Sequence, residues 1–246
     1  MPGTAEASAL VHRFQDMIRN RKPDRHIVPV IIHGVWVSPR ELDLIAASGA
    51  SVQHNPNSNL KLGSGLMPMR EMLGRGINVS LGTDGCGSIE SVDMLRVLAN
   101  TGLLHSLHGC DHRTWVTSAE AFRAATQGGA DALGRADLGR IAAGAKADIA
   151  LYDTRSIAFA PLNAPLRQLA LAETGRALSH LIVDGDLVVE EGRLTRVDEA
   201  ALIERIQAAA GELAPAIEAA EASVNRIRGP YEAIYARCCA TPPSSR

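Results

Sequence analysis

The run Ile77-Asn78-Val79-Ser80-Leu81-Gly82-Thr83-Asp84-Gly85 joins a short apolar strand to a turn that carries an aspartate. Glycine, threonine and aspartate are turn residues, so the strand is predicted to stop at Gly82. A helix from about Met67 to Leu73 is predicted before it, and a helix from about Ser91 to His105 after it. Strands that alternate with helices in this way favour a parallel sheet with the helices outside.

Two predicted strands upstream end at a histidine. Ile27–Ile32 is apolar on both faces, as buried parallel strands are, and His33 follows it. Ala50–Gln53 is a second brief strand, and a loop from His54 to Gly65 is predicted after it. Because the carboxyl ends of strands in a parallel α/β barrel open on one face, these histidines and Asp84 are predicted to gather in one mouth.

Capping boxes mark the beginnings of two predicted helices. Ser38-Pro39-Arg40-Glu41 opens one that runs to Ser48, with proline at the first helical position. Thr117-Ser118-Ala119-Glu120 opens another, predicted to end at the glycines near Gly128.

A histidine and a carboxylate at the same mouth are suited to binding a divalent metal, because imidazole and carboxylate are common zinc and iron ligands. Either group can also transfer a proton. Taken singly, a histidine at a strand end is more often an ordinary hydrogen-bonding group, and an aspartate in Gly-Thr-Asp-Gly is more often part of the turn.

The combination of motifs is more specific than any single residue. His33-Gly34 after an apolar strand, His54-Asn55-Pro56-Asn57-Ser58-Asn59-Leu60-Lys61-Leu62-Gly63 and Leu81-Gly82-Thr83-Asp84-Gly85 together resemble the amidohydrolase superfamily. The branch most similar contains methylthioadenosine/S-adenosylhomocysteine deaminases, guanine and cytosine deaminases, and triazine hydrolases. The resemblance covers about residues 25 to 195. Within it, Gly139–Ile149 is similar to the segment that leads from the barrel to a small β-sandwich.

The resemblance implies an α/β fold that is the C-terminal part of a TIM-type (β/α)8 hydrolase barrel, plus part of a β-sandwich and C-terminal helices. The domains expected are 1–148 (partial barrel), 149–195 (partial sandwich) and 196–246 (helical, with a disordered tail). The residues themselves predict short strands at Ile149–Tyr152, Ser179–Val183 and Leu187–Val189. The last two are joined by a hairpin turn at Asp184-Gly185.

Carried over residue by residue, the resemblance makes Asp84 a metal ligand that also shuttles a proton. His33 would lie beside the metal and polarise the attacking hydroxide or the substrate. His54, Asn55 and Ser88 would line the substrate pocket. One divalent metal, zinc or iron, would activate water to deaminate or dechlorinate a small heterocyclic substrate.

The family's metal site also needs a His-x-His pair and a His-x-x-Glu motif, and neither occurs in this sequence. In Gly3-Thr4-Ala5-Glu6, glycine stands where that second motif requires histidine. We therefore expect weak metal binding and negligible hydrolysis by this chain alone. One hypothesis is a hydrolase completed by a separate N-terminal half; the other is a truncated, inactive remnant or interaction subunit.

The composition argues against nucleic-acid and membrane partners. The formal net charge is −2, with 25 basic and 27 acidic residues, and 3% of residues are aromatic, so nucleic acid is not an expected partner. No run reaches roughly 18 apolar residues, so no membrane span is expected. The four cysteines do not have the paired spacing of metal ligands, and they are interpreted as reduced thiols in a cytoplasmic protein. A homo-oligomer, or association with a complementary N-terminal half, is expected.

Three further segments have competing interpretations. Residues 7 to 20 are predicted as an amphipathic helix, and Asp198–Ala240 as an alanine-rich helical segment with breaks near Pro215 and at Gly229-Pro230. A face of Leu202, Ile203 and Ile206 is interpreted as packed on its own domain, with a coiled-coil surface as the alternative. The cluster of His105, His108 and His112 is interpreted as solvated surface or helix-end residues rather than a metal site.

Overall fold

The structure is a computed structural model that describes residues 29–240. The predicted helix at 7–20, Glu6, the first two residues of the predicted strand at 27–32 and the predicted disordered tail at 241–246 lie outside the described residues. The chain divides into two units between Arg193 and Leu194.

A three-stranded parallel sheet forms the centre of the first unit. Its strands are β1 (Val30–Ile32), β2 (Ser51–His54) and β3 (Val79–Leu81), in that order. Val52 of the central strand pairs with Ile31 on one side and Val79 on the other. The three predicted strands are therefore confirmed, with β2 shifted by one residue and β3 beginning two residues later than predicted. All three carboxyl ends lie at one edge of the sheet.

Eight helices accompany the strands in the described residues. Their bounds are α1 (Pro39–Ser48), α2 (Pro56–Lys61), α3 (Met69–Gly74), α4 (Met94–Leu104), α5 (Ser118–Ala125), α6 (Gln127–Ala132), α7 (Pro165–Leu171) and α8 (Glu199–Ala240). Short 3-10 turns at His105–His108, His112–Thr114 and Ile157–Phe159 connect them.

Both predicted capping boxes are present. The Ser38 hydroxyl accepts from the Glu41 N–H at 3.3 Å, and the Glu41 carboxylate accepts from the Ser38 N–H at 2.6 Å. Gly49, at φ 70°, ends the helix in the left-handed region that glycine adopts without strain. The second box, at Thr117, begins α5 in the same way.

The segment from His54 to Gly65 is not only a loop, because α2 lies inside it. Pro56 occupies the first helical position, where its fixed φ suits a helix and its missing N–H costs nothing. Four of the helix residues are buried: Pro56, Asn57, Ser58 and Asn59. The asparagine and serine content concealed this helix, since those residues are also typical of turns.

The sequence predicted that the glycines near Gly128 end a helix, and this prediction is wrong. Helix α5 ends at Ala125, and both Gly128 and Gly129 lie inside α6. A side chain at Gly128 would collide with the carbonyl oxygen of Val79 in β3. Glycine is needed there because helix and strand backbones approach closely, not because the chain turns.

A four-stranded sheet follows in the order β4 (Ile149–Tyr152), β5 (Leu178–Val183), β6 (Asp186–Glu190) and β7 (Arg193–Leu194). Strands β4 and β5, and β5 and β6, pair antiparallel. Asp184 and Gly185 both have positive φ, 50° and 87°, as a type I′ hairpin turn requires. The three predicted strands and their turn are confirmed.

The hydrophobic core of the first unit lies between the parallel sheet and the helices that cover it. Its side chains come from α1, β2, α3, β3, α4 and α5 and the segments beside them. They include Leu42, Ile45, Val52, Met67, Met69, Met72, Ile77, Val79, Leu98, Val116, Ala121 and Ala124.

The second unit contains α8, a single helix of 42 residues. Pro215 and Pro230 lie within it, so the two predicted breaks are wrong. Alanines lie directly on both sides of Pro215 and, as strong helix formers, favour continuation of the helix there. Every residue of α8 is exposed, including Leu202, Ile203 and Ile206. Within the described part of the chain, no helix is both long and apolar enough to cross a membrane.

Candidate active site

Two of the predicted site residues meet at the carboxyl edge of the parallel sheet. His33 follows β1, Asp84 follows β3, and the distance from His33 Nε2 to Asp84 Oδ2 is 3.6 Å. Both residues have a positive φ, 71° and 67°, which is uncommon for residues other than glycine. Such backbone strain occurs preferentially at functional sites.

Asn59 of α2 orients the imidazole of His33. The Nδ1 atom of His33 lies 2.8 Å from Asn59 Oδ1. Because an amide oxygen only accepts, this hydrogen bond places a proton on Nδ1, so that in the neutral ring Nε2 is the atom with a free lone pair. Asn59 is itself buried, so its position is well defined.

The carboxylate of Asp84 accepts hydrogen bonds from its neighbours. The Ser58 hydroxyl donates to Oδ2 at 2.6 Å, and the Gly85 N–H donates to Oδ1 at 2.7 Å. The Ser58 bond, then the Gly85 bond, holds the pKa of Asp84 below its usual range, with a smaller contribution from the Ser88 side chain. Asp84 is therefore ionised at neutral pH.

The facing atoms of this pair fit a cation. An imidazole nitrogen and a carboxylate oxygen face each other at 3.6 Å, and these are the donor types of zinc and iron sites. Among residues 29–240, no group of three His, Cys, Asp or Glu side chains is arranged to hold a metal. Within the described residues, therefore, His33 and Asp84 provide two possible donors at this edge of the sheet.

His54, the last residue of β2, lies beneath the mouth and is completely buried. Its Nε2 atom is 3.2 Å from Nε2 of His105. Burial first, and then the proximity of His105 and His33, lowers the pKa of His54 to about 3. At neutral pH the ring is uncharged.

His105 is not the solvated residue that the sequence suggested. It lies at the end of α4, so the helix-end interpretation is confirmed for this residue. The side chain is buried, however, and burial is the main reason that its pKa is lowered to about 4. His108 stacks on it with the ring centroids 5.6 Å apart. His112 instead contacts Trp115 edge-on.

Asn55 and Ser88 differ in their surroundings. Asn55 is buried, and with its amide nitrogen turned toward β3 it donates to the Gly82 carbonyl at 3.1 Å, tying the ends of β2 and β3 together. Ser88 lies in the turn after Asp84, where its N–H donates to the Gly85 carbonyl at 2.9 Å. Ser88 therefore lies beside the His33–Asp84 pair, and Asn55 lies behind it.

Ser58 and Asn59 are contacts that the sequence reasoning did not assign. Both belong to the motif that begins at His54, yet only its first two residues were selected as site residues. The signal that could have identified them is their position two and three residues after Pro56, which begins a helix at the edge of the sheet. Adjacent residues near the start of a short helix can point at two different groups, here Asp84 and His33.

Comparison with known proteins places these features in context. The sequence profile of the Amidohydrolase family matches residues 8–188. The chain is 39% identical over 176 residues to a 5-methylthioadenosine/S-adenosylhomocysteine deaminase of Pyrococcus abyssi, covering 72% of this chain and 41% of the relative. It is 34% identical over 184 residues to a 5'-deoxyadenosine deaminase of Methanopyrus kandleri, covering 75% and 42%.

Solved structures of similar fold include an adenosine deaminase from Xanthomonas campestris with bound zinc. The TM-score is 0.69 at 32% identity, covering 72% of this chain and 40% of that one. The atrazine chlorohydrolase TrzN from Arthrobacter aurescens, complexed with zinc, superposes with a TM-score of 0.70 at 29% identity, covering 73% and 40%. The chain thus spans about two fifths of the length of these relatives.

The fold is that of the C-terminal portion of a TIM-barrel type hydrolase, as the sequence predicted. The chain belongs to the amidohydrolase family.

Proposed function

We propose that this chain provides one side of a metal-dependent active site that hydrolyses a carbon–nitrogen bond of a small nitrogen heterocycle. The observation that carries the proposal is the 3.6 Å approach of His33 Nε2 and Asp84 Oδ2 at the carboxyl edge of a parallel sheet. Removal of an exocyclic amino group from a purine nucleoside is the favoured reaction, because both sequence relatives above are named as deaminases of adenosine derivatives.

In this proposal Asp84 is a metal ligand and the group that accepts a proton from the attacking water. Its lowered pKa suits it for the first role because the carboxylate is already ionised at neutral pH. A bound zinc or iron ion would lower the pKa of water to roughly 7 and so supply the nucleophile. Ser58 keeps the carboxylate oriented by its 2.6 Å hydrogen bond.

His33 is proposed to act beside Asp84, as a ligand or as the group that polarises the hydroxide or the substrate. Its Nδ1–H is held by Asn59, so Nε2 is the atom available for this chemistry. Ser88 is proposed to contact substrate from the turn after Asp84. His54 and Asn55, which are buried, are proposed to shape the floor of the pocket.

The remaining metal ligands, in this proposal, come from a segment that resembles the N-terminal portion of a relative. The second candidate function is that of a catalytically inactive interaction subunit. Among residues 29–240, no group of three His, Cys, Asp or Glu side chains is arranged to hold a metal, and this supports the alternative.

The test compares the chain alone with the chain co-expressed with the N-terminal portion of the Pyrococcus abyssi relative. Bound zinc and iron are measured by elemental analysis. Turnover is measured with 5'-deoxyadenosine, methylthioadenosine and atrazine. We expect near-stoichiometric metal and adenosine-type deamination in the pair, with little of either in the chain alone.

Two variants connect the result to the site. Asp84→Asn should abolish turnover and weaken metal binding in the reconstituted pair. Asp43→Asn is the matched control, because Asp43 is exposed and forms an ion pair with Arg75 on the surface. Failure of a well-folded pair to bind metal or to turn over any substrate would favour the inactive subunit. Dechlorination without deamination would reassign the substrate class.

A further inference from the structure

Helix α8 carries a continuous apolar stripe with the spacing of a coiled coil. Starting at Ile203, apolar residues recur at alternating intervals of three and four residues up to Cys238. The first series, at position a of the heptad, is Ile203, Ala210, Ile217, Val224, Tyr231 and Cys238. The second, at position d, is Ile206, Leu213, Ala220, Ile227 and Ile234. No polar residue interrupts the repeat.

The stripe is exposed along its whole length. Ile206 is 58% exposed, Leu213 57% and Ile227 51%, and no residue of α8 is buried. Most of the stability of a protein helix comes from packing its apolar face rather than from helix propensity. A long helix with every large apolar side chain in water is therefore expected to have a partner.

The helix-breaking residues make this requirement stronger. Pro215, Pro230, Gly211 and Gly229 all lie within α8, and proline and glycine are the two poorest helix formers. None of the four occupies an a or d position of the heptad. The interruptions thus weaken the isolated helix without interrupting the seam that a partner would cover.

We propose that a second copy of α8 covers this stripe, so that the chain self-associates through a coiled coil. The stripe from Ile203 to Cys238 is about 50 Å long at 1.5 Å per residue. A convex globular surface would contact so long a stripe over only part of its length. A second α8 has the same length and the same period, so its knobs match the holes throughout.

The flanking charges are compatible with self-pairing. The e and g positions beside the seam carry only three charged residues, Glu221, Arg228 and Arg237, among side chains that are mostly small or uncharged. In a parallel pair, each g position faces the following e position of the other copy, and no two like charges meet there. Like-charge repulsion therefore does not hold two copies apart.

The test is the mass of the full chain in solution, measured by sedimentation equilibrium across a range of concentrations. Two variants differ only in which face of α8 they charge. Ala220→Glu places a carboxylate in the seam at position d, and Ala222→Glu places the same side chain two residues away at the outer position f. We expect the unaltered chain and Ala222→Glu to have the mass of at least two chains, and Ala220→Glu to have the mass of one.

Ile227→Ala tests whether a loss of self-association could result from unfolding of the helix. Alanine is a better helix former than isoleucine, so this variant removes a seam side chain without weakening the helix. It should raise the dissociation constant tenfold or more while the helical content of the monomer is retained. A monomeric unaltered chain at tens of micromolar would overturn the proposal, whether the stripe is then covered by its own chain or by another protein. The proposal would also be overturned if both Ala220→Glu and Ala222→Glu were monomeric, or if neither were.

Discussion

The Nε2 atom of His54 lies 3.2 Å from the Nε2 atom of His105, with both rings inside the protein. Two neutral imidazoles can share one N–H···N hydrogen bond at this distance, one donating and the other accepting. The Nδ1 atoms of both rings are buried, and neither has a hydrogen-bond partner in the described part of the chain. Adding a proton to either ring would therefore bury a charge whose new N–H has no acceptor among residues 29–240.

This pair predicts acid sensitivity. The folded pKa values, about 3 for His54 and about 4 for His105, lie below the usual 6.5, so the unfolded chain binds more protons as the pH falls below that value. Stability is therefore retained above pH 6.5 and lost as the pH falls toward 4. Between pH 7 and pH 5 each histidine should lower the free energy of unfolding by up to about 2 kcal/mol.

Urea denaturation at several pH values measures this slope. His105→Gln should make the dependence shallower, because one titrating group is removed. His112→Gln should leave it unchanged, since His112 is exposed. A dependence that is identical in all three proteins would mean that the buried pair does not control acid stability.

The Ser58–Asp84 hydrogen bond predicts a measurable pKa change. Ser58→Ala removes the largest cause of the lowered pKa of Asp84, so that pKa should rise. Carboxyl carbon chemical shifts followed against pH report it directly. Ser106→Ala is the control, because the exposed Ser106 hydroxyl donates to the carbonyl of Leu103 rather than to Asp84. An unchanged Asp84 titration in Ser58→Ala would contradict the assigned cause.

The neighbouring glycines of α6 should respond oppositely to alanine. Gly128→Ala forces a methyl group against the Val79 carbonyl, and such overpacking typically costs about 1 to 3 kcal/mol. At Gly129 the same methyl group meets nothing within 4 Å. Gly129→Ala should therefore stabilise by about 0.5 to 1 kcal/mol through helix propensity. Thermal or urea unfolding measures the change in unfolding free energy for each variant. Changes of the same sign in both would contradict the prediction.

Arg70 connects α3 to α5 and should matter more than a nearby surface arginine. Its guanidinium donates two bonds to the Glu120 carboxylate, at 2.9 and 2.6 Å, and two more to the carbonyls of Thr114 and Trp115. Arg70→Met should cost about 1 to 2 kcal/mol of unfolding free energy. Arg75→Met, which breaks an exposed pair with Asp43, should cost under about 1 kcal/mol.

Much of the fold could be predicted because its signals are local. The strands that end at His54 and at Gly82, and the capping boxes of α1 and α5, depend on residues within a few positions of each other. The errors arose where one residue type serves two purposes. Gly128 marks a close contact with β3 rather than a helix end, and Pro215 lies inside a continuous helix.

The sequence by itself determined the family resemblance and the residue types at the strand ends, His33, His54 and Asp84. Only the tertiary structure decided how they are used. The parallel register brings His33 and Asp84 to 3.6 Å, whereas His54 is withdrawn from the mouth to pair with His105, 51 positions away. Local sequence preferences extend over a few residues, but distances and burial between such remote groups are set by sheet register and core packing.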